Sequence, residues 1–228
     1  KGQVLVSIYV NPKQFNEKKD FINYPRNIKK DLNILNNLKV DLVFMPNYKD
    51  IYSFKSKKNL YLHKFSKKLC GKYRKNHFKG VVNVVNRFIE IIKPKHIFLG
   101  KKDFQQLYLI DKHLKKNKIN TSIISCKTIR ELNGVACSSR NFNLEKKHMK
   151  VAASVYKFLK KRKAKIKKNL KHFNFINIKS KLISLGVEKI DYINLYNLKS
   201  LKKIINKKEN FNIFIAYHLN KVRLIDNI

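Results

Sequence analysis

Residues 4–10 read V-L-V-S-I-Y-V, a nearly continuous run of apolar and β-branched side chains. Such a run is typical of a strand in a parallel sheet, where helices cover both faces of the strand. An interior strand of this kind also needs neighbouring strands on both sides. Because the run begins only three residues after Lys1, which is not a Met, we expect a further segment of the domain to precede residue 1.

Predicted helices and strands alternate through the first half of the chain. The expected order is helix 28–38, strand 40–45, helix 80–92, strand 96–99, helix 103–116 and strand 121–125, with polar or irregular chain over 11–27 and 47–80. Pro46 ends the second strand, and Pro94 ends the second helix. This alternation indicates an α/β fold with a Rossmann-like parallel sheet.

The pattern changes after about residue 128. A long Lys-rich helical segment over 145–168 is followed by short elements, among them apolar runs at 214–217 and 222–225. We therefore divide the chain into a Rossmann-like domain, residues 1–128, and a smaller α+β C-terminal domain, residues 129–228.

The charge is strongly positive, with 53 Lys and Arg against 14 Asp and Glu and a formal net charge of +39. An excess of this size raises nucleic acid as a partner. Only seven of the 53 are Arg, the residue suited to bidentate recognition of phosphate and guanine. We interpret the charge as a solvated Lys-rich surface that binds nucleic acid only nonspecifically, and keep a basic nucleic-acid-binding protein as an alternative.

The sequence contains no run of about 20 apolar residues that could cross a bilayer, and its first residues lack the order of a secretory signal. Cys70, Cys126 and Cys137 form no C-x-x-C pair, which predicts reduced thiols. We expect a cytoplasmic protein without a membrane partner.

Two polar loops follow predicted strands, at the edge of the sheet where α/β proteins bind ligands. The turn Gly100-Lys101-Lys102-Asp103 opens a helix, whose N-terminus attracts anions, so that Lys102 could neutralise phosphate oxygens. Asn11 and Gln14 present amides after the first strand, and Gln106 adds another. Each loop could equally be an ordinary polar surface turn.

A second set of candidates lies in loops before predicted helices. Cys137-Ser138-Ser139-Arg140 combines two hydroxyls with a guanidinium fork, which suits a triphosphate, although a capped turn would use the same residues. Arg74 and His77 lie in a basic loop, where a single His is more often structural than catalytic.

Taken together, these segments resemble the pantoate–β-alanine ligase family of HIGH-type nucleotidyltransferases over nearly the whole chain. The matching phrases, in family order, are V-S-I-Y-V-N-P-K-Q-F, Y-P-R, D-L-V-F-M-P, H-F-K-G-V, G-K-K-D-F-Q-Q-L, N-G-V-A-C-S-S-R-N and R-L-I-D-N. Several are long and rare, so the match is specific.

The resemblance implies a two-step ligation, in which ATP converts pantoate into pantoyl adenylate and β-alanine then displaces AMP. It implies ATP and Mg²⁺ as requirements, a homodimer, and a C-terminal domain that acts as a lid. The implied ATP-binding residues are Gly100, Lys101, Lys102, Asp103, Ile129, Cys137, Ser138, Ser139 and Arg140, of which Lys102, Ser138, Ser139 and Arg140 are catalytic. The implied pantoate and β-alanine residues are Asn11, Gln14, Gln106, Arg74 and His77, and Asp31 is the implied Mg²⁺ residue.

The chain also departs from the family pattern. The H-x-G-H signature would precede Lys1, so we expect residues 1–228 alone to be nearly inactive. Lys101 stands where a Glu is usual, Lys30 at a commonly acidic position, and Asn133 in place of an Asp. A related nucleotidyltransferase that activates a different acid therefore stays open as an alternative.

Overall fold

The computed structural model describes residues 2–204, 206 and 209–228. Its first part contains β1 (Leu5–Ser7), α1 (Lys18–Ile22), α2 (Ile28–Asn37), β2 (Leu42–Phe44), α3 (Tyr48–Tyr52), α4 (Cys70–Tyr73), α5 (His77–Ile92), β3 (His96–Gly100), α6 (Phe104–Lys116) and β4 (Ser122–Cys126). Its second part contains α7 (Lys146–Lys168), α8 (Phe175–Ser184), β5 (Lys189–Asn197), β6 (Phe211–Leu219) and β7 (Val222–Asn227).

The first four strands pair in parallel, as the alternation predicts, but they form two separate pairs. β1 pairs with β2, and β3 pairs with β4, with no ladder joining the pairs among the described residues. β1 is also shorter than the predicted strand over 4–10 and is only partly buried. Each strand has a partner on one side only, and apolar side chains in or beside the strands, such as Val4 and Phe98, are exposed.

Three short helices, α1, α3 and α4, lie in segments where the sequence predicts loops. Helix α3 illustrates why the sequence pattern misses such helices: a capping box stabilises its first turn, and it has no apolar stripe that could be recognised. The side chain of Asn47 accepts from the backbone of Asp50, and the Asp50 carboxylate accepts from the backbone of Asn47. Helices this short carry too few residues for a hydrophobic period to be read.

Helices α5 and α6 form the core of the first part. The apolar spacing along α5 buries one face, with Val82 and Ile89 packed in the same cluster as Leu109 and Ile110 of α6. Fully burying side chains of this size contributes about 1.5–3 kcal/mol each. Lys93 in the left-handed region, followed by Pro94, ends α5 where the sequence predicts.

The second part is an antiparallel sheet in the order β5-β6-β7 that packs against α7 and α8. Alternate residues of β6 face opposite sides: Ile213 and Ile215 join the core under α7 and α8, whereas Phe214 and Ala216 join the core of α5 and α6. The sheet therefore lies between the two helical layers and joins the two parts of the chain. Among the described residues, no helix is long and apolar enough to cross a membrane.

Candidate active site

A cavity of about 1050 Å³ lies between the two parts of the chain. From the first part, Gln14, Lys102 and Gln106 line it, and from the second part Arg140 and Arg223 do so. The structure thus brings together polar and basic side chains that lie more than 200 residues apart in the sequence.

The loop that carries Gln14 is fixed against α5. Asn11 is 1% exposed, its amide donates to the Gly80 carbonyl at 3.2 Å, and its oxygen accepts from the Lys13 backbone and the Tyr52 hydroxyl. Gly80 permits the contact, because a Cβ at this position would lie 2.2 Å from the Lys13 carbonyl oxygen. The side chain of Asn11 therefore holds the loop together.

Arg74 and His77 hold the backbone of Gln14 at the cavity wall. Nδ1 of His77 lies 2.7 Å from the Gln14 carbonyl oxygen and Nη2 of Arg74 lies 3.3 Å from it. Burial, with a smaller effect from Arg74, lowers the pKa of His77 to about 3, so the ring is neutral. Because a carbonyl can only accept, Nδ1 carries the proton and Nε2 accepts from Arg74 at 3.0 Å.

Arg74 is a partly buried cation, and two neighbouring arginines repel its charge. Burial first, and then Arg140 and Arg223, lower the pKa of Arg74 to about 10, which leaves it charged at neutral pH. Arg140 is paired with Asp20 and Arg223 with Asp191, while Arg74 contacts a ring nitrogen and a carbonyl oxygen. This end of the cavity therefore favours an anionic ligand.

The segment 137–140 faces α1 across the cavity. Arg140 lies 3.2 Å from the Asp20 carboxylate, and Ser139 donates to the Tyr24 hydroxyl at 3.0 Å. Ser138 caps the following turn, because its Oγ accepts from the Arg140 backbone at 3.3 Å. Residues 137–140 therefore form a capped turn and also line the cavity.

The turn after β3 forms a single 3₁₀ turn, Lys101–Asp103, that leads into α6. The Lys102 amine lies 3.3 Å from the Asp103 carboxylate, and both residues line the cavity. Gln105 and Gln106 both line the cavity, but Gln105 is buried and its side-chain oxygen accepts from the Cys70 backbone. The two neighbouring glutamines therefore have different surroundings.

Some predicted site residues lie outside the cavity lining, namely Asn11, Asp31, Gly100, Lys101 and Ile129. Asp31 is exposed in the first turn of α2, and the Ile129 side chain is 72% exposed while its carbonyl accepts from the Cys137 backbone. Over the described part of the chain, no cluster of three or more His, Cys, Asp or Glu could hold a metal ion.

Three residues without a role predicted from the sequence, Asp20, Tyr24 and Arg223, line the same cavity. Two of them lie in phrases that carry the resemblance, Tyr24 in Y-P-R and Arg223 in R-L-I-D-N. The two phrases could have pointed to these residues, but neither phrase indicates by itself which side chain faces the cavity.

Parallel strands whose ends meet a basic cavity, with a second α+β layer beside it, define an α/β enzyme of the nucleotidyltransferase type. A Thermus thermophilus pantothenate synthetase structure has this fold, with a TM-score of 0.90 at 26% identity over 99% of this chain and 83% of its own. The sequence model of the family described as Pantoate-beta-alanine ligase matches residues 1–228. The chain belongs to this family, whose enzymes join pantoate and β-alanine.

Individual relatives agree with the family match. The chain is similar to the pantothenate synthetases of Clostridium botulinum (strain ATCC 19397 / Type A), 36% identical over 227 residues, and of Ruthia magnifica, 39% identical over 226 residues. Each match covers 99% of this chain and 81% of the relative. A Francisella tularensis pantoate-beta-alanine ligase, solved in complex with beta-gamma ATP and β-alanine, has a TM-score of 0.81 at 36% identity, over 100% of this chain and 79% of its own.

Proposed function

We propose that this chain uses ATP to activate the carboxylate of pantoate as pantoyl adenylate and then transfers the pantoyl group to β-alanine. The observation that carries the proposal is one cavity in which the Lys102 and Arg140 cations meet the amides of Gln14 and Gln106. The Francisella tularensis relative, bound to an ATP compound and β-alanine, supports ATP and β-alanine as ligands of this cavity.

In the first step, a carboxylate oxygen of pantoate attacks the α-phosphorus of ATP. The bond from the α-phosphorus to the bridging oxygen breaks, and pyrophosphate leaves with both electrons of that bond. Negative charge spreads over the phosphoryl oxygens in the transition state, so cations placed around them lower the barrier. We assign this role to Lys102 and Arg140, with Ser138 and Ser139 donating further hydrogen bonds as the segment engages the phosphates.

In the second step, the neutral amine of β-alanine attacks the acyl carbon, the carbon–oxygen bond to AMP breaks with its electrons leaving on AMP, and the amine nitrogen loses its proton to water. Both ring nitrogens of His77 already have partners, so we propose that His77 positions the Gln14 loop and is not the base. Gln14 and Gln106 bind pantoate, with Gln14 also near β-alanine, and Arg74 supplies positive charge for a substrate carboxylate.

The predicted site residues outside the cavity lining take other parts in this proposal. Asn11 holds the Gln14 loop, and Gly100 and Lys101 shape the turn that presents Lys102. Ile129 offers only its backbone to a nucleotide. A Mg²⁺ site built on Asp31 does not fit, because this single carboxylate is exposed and away from the cavity.

The remaining expectations rest on the sequence pattern for the division and the location, and on the resemblance for the dimer and the lid. We propose a homodimer, a cytoplasmic location and a division of the chain at residues 128 and 129 with the second part as a lid. Limited proteolysis tests the division, and light scattering tests the dimer. One packed core includes side chains from both parts, so the two units are not independent bodies.

The reaction is tested with the protein expressed together with any residues that its gene encodes ahead of Lys1. We expect pyrophosphate release that requires pantoate, and AMP release that requires β-alanine as well. With ¹⁸O in the pantoate carboxylate, one labelled oxygen should appear in AMP, because the carboxylate oxygen bonded to phosphorus stays there. Label in pyrophosphate, or release only with another acid, contradicts the proposal.

A matched pair of lysine variants separates chemistry from surface charge. Lys102→Ala should slow pyrophosphate release, whereas Lys116→Ala, on the exposed face of α6, should not. Equal effects of the two substitutions would indicate that the general positive field, and not a contact to phosphate, assists the reaction.

A further inference from the structure

Asn227, at the end of β7, crosses from the second part of the chain to the turn that carries Lys102. Its side-chain amide donates to the Lys101 carbonyl at 2.8 Å and to the Lys102 carbonyl at 2.7 Å. Asn227 is only 7% exposed, so these bonds are shielded from water. A single amide group therefore holds two consecutive peptide groups of the turn.

Two further side chains stand behind Asn227. Asn212 of β6 donates to the Asn227 side-chain oxygen at 2.8 Å, and Lys163 of α7 donates to the Asn212 side-chain oxygen at 2.7 Å. Lys163 is itself partly buried, and burial lowers its pKa to about 8. The relay, defined as Lys163, Asn212 and Asn227, runs from α7 through the sheet to the turn.

The direction of the relay is set at both ends. The two carbonyls at the turn can only accept, so the Asn227 nitrogen must face them and its oxygen must face Asn212. The ammonium of Lys163 can only donate, so the Asn212 oxygen must face it and the Asn212 nitrogen must face Asn227. Both requirements give the same orientation of each amide, so each of the four hydrogen bonds pairs a donor with an acceptor.

The two bonds from Asn227 also fix the opposite side of the turn. In a planar trans peptide group the carbonyl and the following N–H point in opposite directions. Holding the Lys101 and Lys102 carbonyls toward Asn227 therefore turns the N–H groups of Lys102 and Asp103 away from it, at the start of α6. Rotation of these peptide groups would redirect both N–H groups and the Lys102 side chain.

We propose that Asn227 is a positioning residue for the nucleotide, and that the relay transmits the position of the C-terminal part to the Lys101–Asp103 turn. This inference rests on the proposed function, because it concerns how the turn receives ATP. It assigns no chemistry to the relay, which acts only through the orientation of the turn.

The sharpest variant is Asn212→Asp, which changes one amide to a carboxylate of nearly the same shape. The new carboxylate accepts from Lys163 and also requires a donor from Asn227, so the Asn227 amide must rotate. Its oxygen then faces the Lys101 and Lys102 carbonyls, and both bonds to the turn are lost. Asn212→Leu, in contrast, interrupts the relay without forcing that rotation.

The measured quantities are kcat and KM for ATP in pyrophosphate release, the Kd for ATP from calorimetry, and the unfolding temperature. We expect Asn212→Asp to reduce kcat/KM for ATP by about tenfold or more, because misplacing a positioning group by about 1 Å costs up to about 10²-fold in rate. KM for pantoate should change little. Asn212→Leu should have a smaller effect on ATP, although it also removes two hydrogen bonds of the relay, because the two bonds from Asn227 to the turn remain.

The inference is overturned if Asn212→Asp binds and uses ATP like the unmodified protein, or if activity follows the unfolding temperature equally in the Asp and Leu variants. Asn227→Ala removes both donors outright and answers the same question should Asn212→Asp fail to fold. If the unmodified protein releases no pyrophosphate with pantoate, the proposed function fails, whereas the ATP affinities of the variants still decide whether the relay positions the turn.

Discussion

Gly80→Ala tests how closely the Gln14 loop must sit against α5. The added Cβ would lie 2.2 Å from the Lys13 carbonyl oxygen, 2.6 Å from its carbon and 2.9 Å from the Gln14 Cα. All three are backbone atoms, so no side-chain rotation relieves the clash. Ordinary contact begins at about 3.4 Å, so the loop must retreat from α5 by roughly 1 Å, and the Asn11 bond to Gly80 must lengthen with it.

Two consequences of different size follow from that displacement. Overpacking of a filled site costs about 1–3 kcal/mol of stability. A displacement of about 1 Å in a substrate-positioning group costs about 10²-fold in rate. We therefore expect kcat/KM for pantoate to fall about 10²-fold in Gly80→Ala, with KM for ATP much less changed, because the loop carries Gln14 and not Lys102.

Ile89→Val is the matched control, because it lies on the same helix and in the same core but away from the loop. It should cost about 0.5–1.5 kcal/mol in urea unfolding and leave kcat/KM for pantoate nearly unchanged. If both variants lose activity only in proportion to their stability, or if Gly80→Ala keeps its pantoate kinetics, the argument from close approach is refuted.

Three further variants probe other parts of the cavity. Lys102→Ala should reduce pyrophosphate release about 10²- to 10³-fold, and turnover at the unmodified rate would exclude Lys102 from phosphate stabilisation. Asp20→Asn removes the carboxylate that competes with phosphate for Arg140, so KM for ATP should fall about two- to fivefold, and a rise would indicate that Asp20 assists binding. His77→Gln tests linkage. The pKa of His77 in the folded protein, about 3, lies below the ordinary value of 6.5, so between these two pH values only the unfolded chain takes up the proton. The free energy of unfolding should therefore fall by up to about 1.4 kcal/mol per pH unit as the pH drops from about 6.5 toward 3. Urea unfolding should show a shallower acid loss in His77→Gln than in the exposed control His172→Gln, and identical slopes would contradict the assignment.

The regular part of the fold was predictable because its signals are local. Apolar spacing gives α5 and α6, and Pro94 marks the end of the first of them. The parallel pairing of the first four strands follows from their alternation with helices and is found. That the strands form two pairs was not predictable, since the choice of neighbour depends on contacts between distant segments.

Part of the cavity lining could be predicted from the sequence, but the contacts of those residues could not. Gln14, Lys102 and Arg140 stand in recognisable phrases, and the structure brings all three to one cavity. Asn11 stands in one of the same phrases, yet its amide is used by Gly80, which lies 69 residues away in the chain. The residues next to Asn11 in the sequence do not indicate a hydrogen-bond partner that is so distant in the chain.

Three segments that line the cavity are each held by a residue distant in the chain, and the three holding contacts differ in kind. Gly80 holds the Gln14 loop by close packing, and Asn227 holds the Lys102 turn by neutral hydrogen bonds to carbonyls. A phosphate could not replace either contact, because neither contains an anion paired with a cation. Asp20 holds Arg140 by a partly exposed ion pair, which a phosphate can replace with a like charge. Because phosphoryl transfer depends mainly on positioning and charge stabilisation, we expect the Gln14 loop and the Lys102 turn to keep these contacts, and Arg140 to exchange Asp20 for a phosphate, as nucleotide binds.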